Sequence, residues 1–378
     1  MPGREVRAMP ASAAERLHIG LSPAPTWLRD SAWRRPDSAA EHMLSAGFAA
    51  RVATLAERAC LDLLFTPDAA FLDRSVLTTA PGFTTLDSMS LMTALSQHTT
   101  HIGLVPTAHS ALSAPYQVAR QVQSLQHLSE GRAGWNVVTA LGGGANFGVQ
   151  VAEDPEVRYG QATEFVEVVR ALWRGYPAEA ILVDRKGGRF ADADLVRPAD
   201  HRGEHFDVEG PLTLPMHAAG EPPMVHASAS AAGQAFAAEH ADAVFIAARE
   251  PGAAVQVRRG LAQRVASSGR DPGALRVLPG LSLFLAGTED EARELYAEAT
   301  RAGVRGAPHW TVVGTPAQAA DEILRWADAG ALDGFLAFPG GSWSSVHLLT
   351  EEVIPRLAAE GRFRSSYEAT TLRGHLGL

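Results

Sequence analysis

The chain of 378 residues is almost without cysteine and lysine, Cys60 and Lys186 being the sole examples of each. A single thiol rules out an internal disulfide framework and any cysteine-based zinc or iron–sulfur centre. Cys60 falls in the apolar-periodic stretch RVATLAERACLDLLF, so a buried thiol is expected there. Basic charge is carried by arginines that are scattered rather than clustered, and the net charge is −9. With no basic excess to neutralise phosphates, a general binder of nucleic acid or anionic membrane is excluded. No apolar run approaches the ~18 residues of a membrane span. The opening MPGREVRAMPASAAERL has no secretory hydrophobic region, so no membrane partner and a cytoplasmic location are expected.

What is present is an ordinary globular composition, 46% hydrophobic with 35 Gly and 23 Pro. That length allows two or three domains, or one large α/β barrel. Short apolar runs at 18–21, 61–65, 101–106, 133–139, 223–227, 243–247, 277–287 and 334–338 read as strands. Helical periodicity lies between them. In RYGQATEFVEVVRALW (158–173), Phe165, Val168, Val169 and Leu172 share a face. The stretch 315–329 opens on Thr315-Pro316, a helix cap followed by a first-turn proline. Roughly eight strand–helix units suggest a closed parallel barrel, with a doubly wound open sheet as the competing arrangement. Two segments interrupt the alternation: 141–157, rich in glycine, and 174–222, with no evident strand–helix unit. Long connections of this kind are often functional, and both are expected to wall a substrate cavity; decorative surface insertions are the plainer alternative.

Several motifs fail on inspection. HRGEH (201–205) matches a zinc-protease pattern, but Arg197-Pro198 and Gly203 argue against the helix that would bring both imidazoles to one face, so no metal is expected. The glycines at 142–144 form neither a dinucleotide fingerprint nor a P-loop. No G-x-S-x-G elbow occurs. More informative are Asp68 just after one strand, Thr107 and His109 ending the next, and Asn136 inside a third. Carboxylate, hydroxyl, imidazole and amide at the ends of successive strands would converge on one barrel mouth. Each alone could equally cap a helix or bond backbone. Near Ser230 a strand ends, small residues follow and a helix begins, which favours an anion; a simple helix cap is the alternative.

The run HIGLVPTAHSALSAPYQVARQVQSLQHLSEGRAGWNVVTA resembles the bacterial-luciferase-like flavin monooxygenases, and within them the nitrilotriacetate/EDTA/dibenzothiophene-sulfone branch. AWRRPDS, RYGQATEFVEVVRALW, DHRGEHFDVEGPL, ASASAAGQAFAAEHADAVF, VVGTPAQAADEI and TLRGHLGL match in order, so the resemblance spans nearly the whole chain. It implies one (β/α)8 TIM-barrel domain over residues 1–378, luciferase-like, with insertions at about 141–157 and 174–222. It implies a two-component monooxygenase that uses O2 and reduced FMN, the flavin supplied by a separate NAD(P)H:flavin reductase, and a homodimer. Flavin contacts carry over to Asp68, Thr107, Asn136, Tyr159, Ala229 and Ser230, and His109 is the candidate catalytic group. Two positions depart from the pattern: Pro155 stands where a histidine is common, and Ser228-Ala229-Ser230 replaces a Gly-Ser-Ser-like turn. A cis peptide near the end of the third strand is usual in such proteins, and Val105-Pro106 would accommodate it. An F420-dependent oxidoreductase and a non-catalytic flavin-binding barrel stay as alternatives.

Overall fold

A computed structural model describes residues 16–23, 28, 31–139, 142–227, 230–301, 309–340 and 342–378. In chain order, β1 (His18–Leu21), α1 (Ala46–Arg58), β2 (Leu63–Phe65), α2 (Ser88–Ser96), β3 (Gly103–Val105), β4 (Thr107–His109), α3 (Pro115–Leu128), β5 (Trp135–Val138) and α4 (Pro155–Arg174) make the first half. Two short hairpins follow, β6 (Ile181–Asp184) with β7 (Arg189–Ala191) and β8 (His201–Arg202) with β9 (Asp207–Val208). The second half runs β10 (Met224–Ala227), α5 (Ala231–His240), β11 (Ala243–Ile246), α6 (Pro251–Ser267), β12 (Arg276–Leu285), α7 (Glu289–Ala299), β13 (Trp310–Gly314), α8 (Pro316–Asp328) and β14 (Gly334–Pro339). Helices α9 (Trp343–Leu348), α10 (Ile354–Ala359) and α11 (Leu372–His375) close the chain.

The strands settle the choice between open sheet and barrel. β2 pairs with β1 and β3, β1 with β14, β14 with β12, β12 with β11, β11 with β10, β10 with β5 and β5 with β4, every pair parallel. β3 and β4 are two halves of one strand parted at Pro106, so the ring closes on itself as eight strands. β13, which the hydrophobic runs did not mark, adds beside the outer half of β12. Helices start where polar caps permit: Ser45, Asp87, Asp154, Ser230, Thr288 and Thr315 each accept a first-turn N–H. α4 starts at Pro155, so the last residues of the 141–157 segment are its first turn.

Side chains alternate between two layers. Leu64, Leu104, Trp135 and Val137 point outward under the helices, with Trp135 edge-on to Trp173 at 5.1 Å. Leu63, Phe65, Val105, Val225, Leu278, Leu336 and Phe338 fill the inside. Leu372 of α11 and Leu376 just after it plug the end of the barrel where the strands begin. Gly103 and Gly134 make room for that plug, since a Cβ on either would lie 2.5 and 2.7 Å from the Leu372 methyls. The tail is tied down by Arg364 to the fully buried Asp62, which also accepts from the Ile19 N–H at 2.6 Å, and by the Tyr367 hydroxyl to Leu61 O at 2.7 Å.

Three expectations are corrected. The 174–222 segment follows a helix, not a strand, so it lies on the outer wall and at the plugged end rather than over the mouth. Glu221 meets Arg174 there, His127 meets Pro215 O at 2.9 Å, and His201, His205 and Phe206 are gathered by the carboxylate of Glu164 on α4. Val105-Pro106 is trans, and among the described residues the cis bond is Gly210-Pro211. Cys60 is half-buried rather than buried, in a left-handed conformation at φ 59° where α1 ends. Among the described residues no helix is long and apolar enough to cross a membrane.

Candidate active site

The register decides which side chains meet. Thr107 lies opposite Asn136, and Asn136 opposite Val225, whose side chain is in the inner layer. Thr107, Asn136 and, two residues on, His109 therefore face the barrel interior near the strands' carboxyl ends. Asn136 Nδ2 donates to Thr107 Oγ1 at 3.0 Å, and that hydroxyl donates to Thr66 O at 2.7 Å. Ser88, at the start of α2, accepts from the Thr107 N–H and reaches its carbonyl, both at 3.1 Å. Asp68 accepts from Ala69 N at 2.8 Å and Ser88 N at 3.4 Å. One hydrogen-bonded set thus joins the ends of β2, β4 and β5.

That set is incomplete. Asn136 is 2% exposed, yet its Oδ1 has no partner, and neither do Thr66 Oγ1 or the two ring nitrogens of His109. Whichever way the Asn136 amide is turned, one of its polar atoms is left over. Buried polar groups are rarely orphaned in a finished fold, so these atoms match a ligand bearing both donors and acceptors. Burial pulls His109 below the usual imidazole range against the opposing pull of the Asp68 carboxylate, which leaves a neutral ring with one N–H and one lone pair.

A second group of residues lies on the neighbouring helix starts. Tyr159, at the start of the second turn of α4, has its hydroxyl 3.5 Å from His226 Nε2, and its ring packs at 5.5 Å on Phe236 of α5. His226 is buried, which lowers its pKa to about 4, and its Nδ1 bonds Val137 O at 2.7 Å. The proton therefore sits on Nδ1, and Nε2 is free to accept from Tyr159. Arg158 is anchored by Nη1 to Ala152 O and Glu153 O, at 2.8 and 2.6 Å, while its buried Nε has no partner. Ser230 caps α5 by accepting from Gly233 N at 3.1 Å. Since β5 and β10 are adjacent and parallel, the amino ends of α4 and α5 share the barrel's open face. Ala229 and Ser228 lie outside the described residues.

Asp68, Thr107, His109 and Asn136 thus come together, and Tyr159 and Ser230 stand at the same end of the barrel. Thr66, Ser88, Arg158 and His226 went unmarked. His226 was concealed because its strand points it outward; Arg158 adjoins Tyr159 in a quoted motif, which was signal enough. The HRGEH stretch is a short hairpin, with His201 2.9 Å from Glu164.

A closed parallel eight-strand barrel with polar groups collected at the carboxyl ends of its strands defines the class of (β/α)8 enzymes, whose sites lie on that face. The chain belongs to the luciferase-like monooxygenase family, whose profile matches residues 30–333, and it is an oxidoreductase. It is 31% identical to N-acetyl-S-(2-succino)cysteine monooxygenase of Bacillus subtilis (strain 168), over 97% of this chain and 98% of that protein. Identity is also 31% to dibenzothiophene-sulfone monooxygenase of Rhodococcus erythropolis, covering 92% and 93% of the two chains. It is again 31% to nitrilotriacetate monooxygenase component A of Aminobacter aminovorans, covering 97% of both. Among solved structures, riboflavin lyase with modified FMN and riboflavin superposes with a TM-score of 0.86 at 28% identity, over 96% of each chain.

Proposed function

We propose that the chain is an FMN-dependent oxygenating component: it binds FMN reduced by a separate NAD(P)H:flavin reductase and uses O2 to oxidise a small organic molecule, as one of two copies in a homodimer. The observation that carries this reading is the leftover polarity of Asn136, Thr66 and His109 around Thr107 at the barrel mouth. A flat heterocycle with ring N–H and carbonyl groups satisfies such atoms. Asn136 and Thr107 would hold the ring edge, and Asp68 would fix the loop beneath it. Arg158, Tyr159, Ser230 and the backbone at Ala229 would take the phosphate, since a cation and a helix start both favour an anion.

Held there, reduced FMN would supply the electrons that activate O2. The protein holds the ring, keeps water away and aims the substrate. His109, neutral and two residues beyond Thr107, can donate from one ring nitrogen and accept at the other beside the reacting centre. The segment 142–154 covers that face; Asn146 Nδ2 ties it to Ala70 O at 2.9 Å.

Oxygen uptake with a flavin reductase, NADH and FMN, together with anaerobic titration by reduced FMN, tests the reading. Tight reduced-FMN binding with substrate-stimulated uptake is expected. F420 reduction by an alcohol, with no FMN binding, would replace it with a deazaflavin oxidoreductase. FMN binding with no uptake on any substrate would leave a flavin-binding barrel.

A further inference from the structure

Many of the large apolar side chains left in water lie on the connections around the open face; a smaller group, with Phe190, lies on the outer-wall segment 174–222. Trp33 follows β1, Phe71, Leu77 and Phe83 follow β2, and Phe147 and Val149 follow β5. Phe71 and Phe147 are 50% and 52% exposed. These three connections are joined to one another: Trp33 Nε1 donates to Thr79 O at 2.7 Å, Asn146 Nδ2 to Ala70 O at 2.9 Å, and the Phe71 ring covers Gly142. An apolar collar of this extent marks a binding surface. Aromatic side chains also line the barrel interior on the strands opposite. Phe245 and Phe338 meet there at 5.7 Å, and His309 stacks on Phe338 at 5.4 Å. Gly280 leaves space beneath them, since a Cβ would come 2.6 Å from Phe245.

Charge is as telling. Among the described residues the fully buried acid and arginine, Asp62 and Arg132, both stand at the strands' amino ends, away from the mouth. Arg132 is spent on Ser96, Thr99, Ile102 and Ser129. On the mouth connections Arg35 is held by Asp37 and Glu298 and Arg158 by backbone carbonyls, while Arg34, Arg74 and Arg249 are exposed at the rim. The charge beside the reacting centre is Asp68. A carboxylate brought in here would lose its water, meet a like charge and, among the described residues, find no buried cation.

Resting on the monooxygenase reading above, we infer that the substrate is a neutral, largely apolar molecule drawn across the Phe71–Phe147 collar, and not a di- or tricarboxylate. The collar contacts its apolar body, and the aromatic wall of Phe245 and Phe338 stacks against it. Thr107, Asn136 and His109 remain for the flavin and the reacting group.

The test is anaerobic equilibrium dialysis of the full chain with reduced FMN present, using dibenzothiophene sulfone and N-acetyl-S-(2-succino)cysteine as probes. FMN affinity is read on the same preparations by anaerobic titration with reduced FMN. The neutral probe is expected to bind at least a hundredfold tighter and to hold its affinity in high salt. The double variant F71S/F147S should weaken that probe tenfold or more while FMN affinity and melting temperature stay put. FMN bound normally with the tricarboxylate preferred, with neither probe bound, or with the variant binding as the parent, overturns the substrate class alone. Absence of reduced-FMN binding in the anaerobic titration overturns the flavin reading and this inference with it. If the variant changes only the sedimentation mass, the collar joins copies of the chain and the inference fails.

Discussion

Asn136→Leu separates binding from folding, because its two readouts move in opposite directions. Leucine forks at Cγ as asparagine does, so it fits the space between Thr107 and Val225. The substitution removes a buried atom without a partner, whose burial costs about 1–3 kcal/mol, and one hydrogen bond to Thr107, which contributes about 0.5–1.5 kcal/mol. The Thr107 hydroxyl keeps its bond to Thr66 O. The net effect on the ligand-free chain is therefore about 0–2 kcal/mol in favour of the variant. Unfolding entropy near 2.1 cal/mol/K per residue makes 1 kcal/mol worth about 1 °C in a chain this long. Calorimetry should then show a melting temperature unchanged or up to about 3 °C higher. Anaerobic titration should show reduced FMN held more than about tenfold more weakly, a loss above about 1.4 kcal/mol. A fall in melting temperature beyond about 5 °C would assign the amide to folding. An unaltered flavin titration would remove Asn136 from the site.

Acid should loosen the fold through two histidines. Burial depresses His226 and His240 to about 4, the latter with further help from Arg170 and Arg270. The unfolded chain takes up these protons near pH 6.5, so their stabilising share is complete above that pH and is lost as pH falls toward 4, about 2 kcal/mol each by pH 5. Imidazole NMR should follow it, and a His226 midpoint above pH 6 contradicts the prediction. Leu372→Ala opens the plugged end and should cost about 2–5 kcal/mol; an unchanged urea midpoint would show the plug to be dispensable. Asp62→Asn leaves Arg364 facing a neutral amide in the interior and should cost about 3–5 kcal/mol. A loss under about 1 kcal/mol would mean the tail is held elsewhere.

Local pattern carried most of the architecture. The eight apolar runs are the eight ring strands, within a residue or two except the third, which runs on to His109, because each is a short stretch that must bury both faces between helices. The two helices marked by periodicity start at Asp154-Pro155 and Thr315-Pro316, where a cap and a proline coincide. The positions of Asp68, Thr107, His109 and Asn136 at strand ends could also be read directly. The end of the barrel on which 174–222 lies could have been read too, since a connection that follows a helix returns to the strands' amino ends.

Other features are not written in any short window. Ring closure depends on the third strand, 103–109, bonding β2 along one edge and β5 along the other. The contact of Tyr159 with His226, and the plug that Leu372 makes against Gly103 and Gly134, join residues far apart in the chain. Composition and periodicity determined that strands and helices would alternate and which residues would end each strand, because those choices rest on a residue's immediate neighbours. Which polar atoms are satisfied and which are left facing the mouth was decided only by register and closure, because a hydrogen bond between strands exists only once both have been brought side by side.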